Sequence, residues 1–184
     1  APPVWVSGSE LRVATALDRL PWADSLVLAH NTMFDGAILS WRYGIKPKGW
    51  LDTMSMGRAL HGVDRSVSLK AMAERYKVGV KGTEVTNALG LRREFFSAPQ
   101  LKLYGEYCCN DVELTYKLFK RMARGFPPSE ISIIDQTLRM YTEPMLVLDR
   151  AVLDTHLTNE INRKEALLST LDTADGFFDG RGYW

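Results

Sequence analysis

Three side chains in this sequence have types and spacing that could do chemistry together. They are Asp35, in His30-Asn31-Thr32-Met33-Phe34-Asp35, and Tyr107 with Asp111, in Tyr107-Cys108-Cys109-Asn110-Asp111. Asp35 follows directly on the apolar run Ser25-Leu26-Val27-Leu28-Ala29. In α/β sheets ligands bind at the carboxyl ends of strands, and a carboxylate at that place, where a helix opens, can hold or hydrate a divalent cation. The same position also suits a first-turn acid that complements the helix dipole. Tyr107 and Asp111 are four residues apart, so on a helix they share one face. A carboxylate that holds Mg²⁺ or Mn²⁺ beside a phenol that orients water suits phosphodiester hydrolysis. The plainer alternative is a surface Asp beside a half-buried Tyr. The two blocks are far apart in the chain, so they form one site only if the fold brings them together.

The elements that must do this are short. Leu11, Ala14, Leu17 and Leu20 recur at helical spacing over residues 8–19, with Ser7 or Ser9 as N-cap. Residues 25–29 read as a strand buried on both faces, followed by a polar turn at 30–33 and a helix from about Phe34 to Tyr43 that ends at Gly44. Trp50-Leu51-Asp52-Thr53 reads as a second strand, Met54 to Leu60 as a helix, and Ser68 as the cap of a helix to Tyr76 with Leu69, Met72 and Ala73 inward. Residues 77–97 are less regular. Residues 99–124 read as a helical pair, and Pro127-Pro128 as a break. A helix bearing Ile131, Ile134, Leu138 and Tyr141 follows, then an extended stretch at 143–148 and a last helix capped by Asp149. The tail 172–184 has no period.

Composition narrows the class without naming it. The chain has 184 residues, 46% hydrophobic and 24% charged, as in globular proteins that need no covalent staples. A net charge of +1 says little about partners, so any nucleic-acid role needs a local basic face or bound cations. The two cysteines are adjacent and give no disulfide framework, which agrees with a reducing cytosol. The sequence shows no signal-peptide pattern, and no apolar run is long enough to span a bilayer.

Other residues carry weaker readings. His30 suits either substrate contact or a structural hydrogen bond. Asp52-Thr53 reads as a helix cap rather than a ligand pair. His61 and His156 lack partners at zinc-ligand spacing, and Cys108 and Cys109 read as small packed residues. Arg92-Arg93 and the set Lys117, Lys120, Arg121 and Arg124 are basic clusters; the second fits phosphate contact or, more simply, a solvated face. Phe95-Phe96 fits a stacking wedge or a core role.

In this order, the HNxxFD block at 30–35 and the YxxxD block at 107–111 resemble the second and third motifs of the DEDDy 3′→5′ exonucleases. The flanks Ile45-Lys46-Pro47, Leu51-Asp52-Thr53-Met54, Ser68-Leu69-Lys70 and Lys81-Gly82 are similar to the proofreading domains of phage and bacterial family A DNA polymerases. Residues 137–149 are similar to the junction where those enzymes pass from exonuclease to polymerase domain. The resemblance covers roughly residues 20–165. It implies an α/β, ribonuclease-H-like fold with a mixed sheet flanked by helices. It divides the chain into an exonuclease domain at 1–126 and the start of a polymerase domain, or helical appendage, at 127–184. It implies two divalent cations, Mg²⁺ or Mn²⁺, with Asp35 and Asp111 among their ligands, and Tyr107 orienting the attacking water. It places Asn31 and Phe34 near the terminal nucleotide, with His30 beside them. The implied substrate is the 3′ end of single-stranded or frayed DNA. The implied partner is the remainder of a parent polymerase, and the implied location is the cytoplasm of a bacterium or phage-infected host, away from any membrane.

The sequence departs from that family at its first motif. Asp-x-Glu belongs on an opening strand upstream of Asp35, and no residues there form it; Glu10 and Asp18 fall in an expected helix, and Asp24 is isolated. The expectation is therefore a sheet whose first strands are missing, with cations held weakly and hydrolysis poor for this polypeptide alone, through truncation of a longer parent or as an inactive relative. Two alternatives stay open: a non-catalytic nucleic-acid-binding or assembly module, and a stand-alone DEDDy ribonuclease.

Overall fold

The computed structural model describes residues 2–82 and 90–175, and the chain divides into two compact units, 1–144 and 145–184. In the first, α1 (Glu10–Leu17) precedes β1 (Leu26–Ala29), α2 (Thr32–Ala37), β2 (Gly49–Asp52), α3 (Thr53–His61), α4 (Leu69–Tyr76), α5 (Ala98–Met122) and α6 (Pro128–Thr142). Most helices start where their caps dictate. Ser9 Oγ accepts from Arg12 N–H at 3.3 Å and Ser68 Oγ from Ala71 N–H at 3.3 Å, each satisfying an otherwise orphaned amide. Ser97 and Gln100 form a capping box at the start of α5, with Pro99 in its first turn.

The two strands pair in parallel, with Leu26 opposite Gly49 and Ala29 opposite Asp52. Parallel strands need a crossover, and α2 supplies it, running on through a π-helical turn at Ile38–Arg42. The helix expected at 34–43 is thus interrupted by a wider turn before Gly44, whose φ is +66°. The sheet is small: among the described residues it has these two strands, both parallel, where a mixed sheet is expected. β1 is also less buried than its apolar run predicts. Leu26 is 58% exposed, and the next three residues are only partly covered. The reason is that, among the described residues, β1 has a neighbouring strand on one side alone.

Helices cover the sheet unequally. Met56, Leu69, Met72, Leu114, Leu118, Met122 and Phe126, from α3, α4, α5 and the turn after it, form the main core. The pattern expected for α4 holds, with Leu69, Met72 and Ala73 all buried. The helical pair expected at 99–124 is one continuous helix, because no breaker falls within it: Gly105 is tolerated in a segment otherwise fully hydrogen-bonded. On the other side, α2 and α6 meet over the fully buried Trp50. A Cβ on Gly36 would lie 2.9 Å from Thr142 Cγ2, so only glycine lets these two helices approach so closely.

The outer edge of β2 is closed by a polar clamp rather than a strand. Asp135 Oδ1 accepts from the Trp50 N–H at 2.7 Å, and Asp135 Oδ2 accepts from Arg139 Nε at 2.9 Å. Arg139 also donates to Glu143 Oε1 at 2.8 Å and to the Lys48 carbonyl at 2.6 Å. Edge strands need such blunting.

In the second unit, Asp149 Oδ1 caps α7 (Arg150–Asp175) by accepting from Val152 N–H at 3.1 Å. Leu153, Leu157 and Ile161 are exposed on it. No described helix is long and apolar enough to cross a membrane. Part of the tail expected to lack a period, residues 176–184, lies outside the described residues.

Asp135→Ala removes the acceptor from a buried backbone N–H and is expected to cost about 1–3 kcal/mol, whereas Asp135→Asn, which keeps a carbonyl oxygen there, costs less. Urea unfolding of the three proteins checks this.

Candidate active site

The parallel register ends both strands at the same level, so the turns that leave them meet. Asp52, almost fully buried, binds this junction: its Oδ1 accepts from Asn31 N–H at 2.9 Å and Met54 N–H at 3.0 Å, and its Oδ2 from Ser55 Oγ at 2.7 Å. It is a cap, as expected, and its carboxylate is consumed in that role. Asn31 takes a left-handed conformation, φ +72°, which turns the chain sharply into α2. Asp35 then lies in the first turn of α2, half-buried. Burial pushes its carboxyl above the ordinary Asp range, and the charge of Asp52 adds to this.

His30 is fixed on both sides of its ring. Nε2 lies 2.9 Å from the Val67 carbonyl, which can only accept, so Nε2 carries a proton. Nδ1 lies 2.9 Å from Thr53 Oγ1. That hydroxyl has a single proton, shared between Nδ1 and the Ala29 carbonyl 3.2 Å away, and burial lowers the His30 pKa. Both nitrogens are thereby committed to holding α3 and the loop before α4 against the end of β1.

Asp35 and Asp111 line one cleft of about 350 Å³, together with Val27, Leu28, Ala29, His30 and Thr115. Successive strand side chains point to opposite faces. A cleft that touches four consecutive residues from Val27 to His30 therefore runs along the edge of β1, the edge with no partner strand among the described residues. The other expected contacts are placed elsewhere. Asn31 borders a neighbouring cleft with Asp52, Met54 and Arg58, and Phe34 is 66% exposed on the surface of α2.

On α5, Tyr107 and Asp111 share a face and share a partner that sequence reasoning missed. Lys81 Nζ donates to both Tyr107 Oη and Asp111 Oδ2 and lies 4.5 Å from the Tyr107 ring centroid. Two features deliver it. Gly79 lets the loop after α4 lie against α5, where a Cβ would come within 2.7 Å of Leu114 Cδ2. Asn110 Nδ2 then donates to the Val80 carbonyl at 3.0 Å. Burial pulls the Lys81 ammonium down, but its bonds to Asp111 and Tyr107 outweigh this and leave its pKa above the usual lysine value. Burial and Asp111 push the Tyr107 phenol up, so it stays protonated and able to donate. Burial and Asp111 likewise push the Cys108 thiol up, which agrees with a packed residue and not a nucleophile.

A family model for 3′-5′ exonucleases matches residues 11–126, more than half of the chain and every residue of the cleft. The chain belongs to the 3′-5′ exonuclease family. No curated protein and no solved structure matches it. Membership makes a nucleic acid the substrate class and hydrolysis the reaction of this exonuclease domain, and exonucleases of this family generally use divalent metals.

The residues present meet such a metal part-way. Asp111 Oδ1 is buried with no hydrogen-bond partner, which is costly for a carboxylate oxygen unless a cation or donor faces it. Asp35 offers a second, partly desolvated carboxylate. Yet the described residues contain no group of three or more His, Cys, Asp or Glu placed to hold a metal ion, and Lys81 already occupies Asp111 Oδ2. The exonuclease domain thus offers oxygen ligands of the right hardness and too few of them for a closed cage.

Two outcomes follow from this electrostatic arrangement. Because folding raises the Asp35 pKa, ionised Asp35 destabilises the metal-free fold at pH values above its raised pKa. That penalty fades as pH falls and the carboxyl is protonated in both states. Asp35→Asn is therefore expected to be more stable than wild type at neutral pH in EDTA and to lose the advantage on acidification, as unfolding across that pH range will show. Lys81→Met strips a half-buried carboxylate of its counter-charge and is expected to cost about 1–3 kcal/mol in EDTA. Added Mn²⁺ should restore more of the thermal stability of Lys81→Met than it adds to wild type, and equal Mn²⁺ shifts would show that Lys81 and the metal do not compete.

Proposed function

We propose that this domain is a proofreading 3′→5′ exonuclease of the DEDDy type belonging to a family A DNA polymerase, acting on the 3′ end of single-stranded or frayed DNA. The single observation that carries this reading is that Asp35 and Asp111, remote in sequence, line one cleft along the open edge of β1. Tyr107 is tied to Asp111 through Lys81 beside it. A ribonuclease-H-like sheet accounts for that open edge: the Asp-x-Glu strand would pair along β1 and bring two further carboxylates to the same cleft. In this reading, residues 127–184 carry the chain from exonuclease towards polymerase, with α6 packed on the exonuclease sheet.

Each residue then has a task. Asp35 and Asp111 hold divalent cations, whose chemistry when bound is to activate water and stabilise the negative charge that builds on phosphate oxygens. Tyr107, kept as a neutral phenol, orients the attacking water through its hydroxyl. Lys81 balances the charge of Asp111 until a cation takes that place. His30 and Asp52 act by position, since their polar atoms are spent on the two strand ends. With two carboxylates in the cleft among the described residues, this polypeptide is expected to bind Mn²⁺ weakly and hydrolyse DNA slowly.

The scarcity of ligands also favours one other reading, a non-catalytic nucleic-acid-binding module. The two part company in a paired measurement: a gel shift in EDTA and release of the 3′-terminal nucleotide in Mn²⁺. In the exonuclease reading Tyr107→Phe lowers turnover by about 10²-fold while leaving substrate binding nearly intact, and Asp111→Asn abolishes it. Binding in EDTA with no hydrolysis by wild type at any Mn²⁺ concentration would assign the chain to the binding module. Two tight Mn²⁺ sites by calorimetry would refute the weak-binding expectation.

A further inference from the structure

The structure assigns a second nucleic-acid contact to the far side of α5: a groove of about 480 Å³ lined by Lys77, Lys117, Lys120, Arg121 and Arg124, which we propose binds the phosphodiester backbone. The residues come from two elements. Lys77 caps α4 in a left-handed conformation, φ +51°, and so reaches the groove from the opposite wall to Lys117, Lys120 and Arg121 of α5 and to Arg124 in the turn after it. At 3.6 residues per turn, Lys117, Lys120 and Arg121 fall in one stripe about 100° wide, roughly opposite the Asp111 and Thr115 face, and Arg124 follows in the turn after α5. The rise of about 1.5 Å per residue places the three on α5 roughly 9–15 Å along the helix axis from Asp111. The groove is therefore separate from the cleft.

Structural roles account for only part of this charge. Lys120 and Arg121 suit the negative end of the α5 dipole, as Lys77 suits that of α4. Lys117 is paired to Glu113 at 3.3 Å, and Lys120 lies 5.6 Å over the Tyr116 ring. Among the described residues, however, Lys77, Lys120, Arg121 and Arg124 take part in no ion pair. Lys117 and Arg121 are like charges four residues apart on α5, an arrangement that weakens a helix. A fold that gathers five cations and gives a counter-charge to Lys117 alone among the described residues keeps the other four for an anion from outside. Phosphates spaced regularly along a strand match such a stripe, and a chain whose net charge is only +1 supplies no general attraction in its place.

The site rests on the exonuclease reading only for the identity of the polyanion, and it can be tested without metal or hydrolysis. Fluorescence anisotropy in EDTA, over a series of salt concentrations, would follow a labelled oligothymidylate and a labelled duplex of equal length. The test variant is Lys120→Gln/Arg121→Gln/Arg124→Gln, all at exposed positions. The control, Arg19→Gln/Lys46→Gln/Arg65→Gln, removes the same charge from exposed positions elsewhere. The groove variant is expected to bind at least about tenfold more weakly at low salt. The slope of log affinity against log salt should fall by about 2, from roughly 0.7 per lost single-strand contact, while the control changes little. Loss in one arm alone would assign the groove to that form of DNA. A slope equal to that of wild type, an equal loss in the control, or no binding by wild type at low salt would overturn the proposal. Circular dichroism checks the fold, and Arg124→Gln alone, in the turn after α5, should still lower the slope by about 0.7. Asp111→Asn is expected to leave this binding in place. Groove-dependent binding without hydrolysis would thus count against the nuclease alone, and hydrolysis with groove-independent binding against the groove alone.

Discussion

One buried carboxylate sets the geometry on which the cleft depends. Asp52 sits at the end of β2 opposite Ala29, and it accepts the amides of Asn31 and Met54, each the second residue beyond its strand. Parallel pairing alone aligns the strands; the shared acceptor fixes the directions in which the chain departs from them. The left-handed Asn31 and the doubly bonded His30 belong to the same junction. Asp35 is held at the mouth of the cleft because the turn before it has almost no freedom left. Of the polar residues most conspicuous in the sequence here, His30 and Asp52 thus spend their side-chain hydrogen bonds, and Asn31 its backbone N–H and conformation, on architecture that sets Asp35 at the cleft.

The two edges of the sheet are treated in opposite ways. Along β2, Asp135 and Arg139 take up the Trp50 amide and the Lys48 carbonyl, so the edge presents few free groups. Along β1, the cleft itself occupies the edge, and both half-buried acids line it. A carboxylate in a partly desolvated cleft loses hydration, and Asp35 also feels the charge of Asp52. Only Asp111 gains a compensating ion pair, from Lys81, and even so one of its oxygens remains without a partner. The metal-free fold therefore carries an electrostatic penalty at the place where a cation would remove it. Such stored cost is common where function and stability compete.

What could be read from the sequence follows the range of the interactions involved. Helix caps at Ser9 and Ser68, the inward face of α4 and the shared face of Tyr107 and Asp111 depend on neighbours a turn or less away, and they are found where periodicity puts them. The single length of α5 was harder, because its apolar stripe changes character near Gly105 while its backbone pattern does not. The exposure of Leu26 was not legible at all, since an apolar run gives no sign of how many strands will flank it. Lys81 was missed for a similar reason. It reaches Asp111 across 30 residues of chain, and its only local mark is the Lys81-Gly82 pair in the flanking resemblance. His30, by contrast, was visible but ambiguous, and only its two ring partners decide what its nitrogens do.

Net charge was uninformative for a more general reason. A balance of +1 over the chain suggests a surface with no electrical preference, yet α5 separates charge across its own width. One side presents the acid of the cleft, and the other presents Lys117, Lys120 and Arg121, met by Arg124 from the turn after it and by Lys77, the cap of α4. Summing over the chain cancels what the helix keeps apart. The separation also has a functional logic. A polyanion drawn to the acid side directly would be repelled by the very carboxylates that must hold cations there, whereas a basic groove a helix-width away can retain the backbone while the cleft admits an end. A helix that is continuous over 25 residues holds those two surfaces on one element, which two shorter helices joined by a turn would not do.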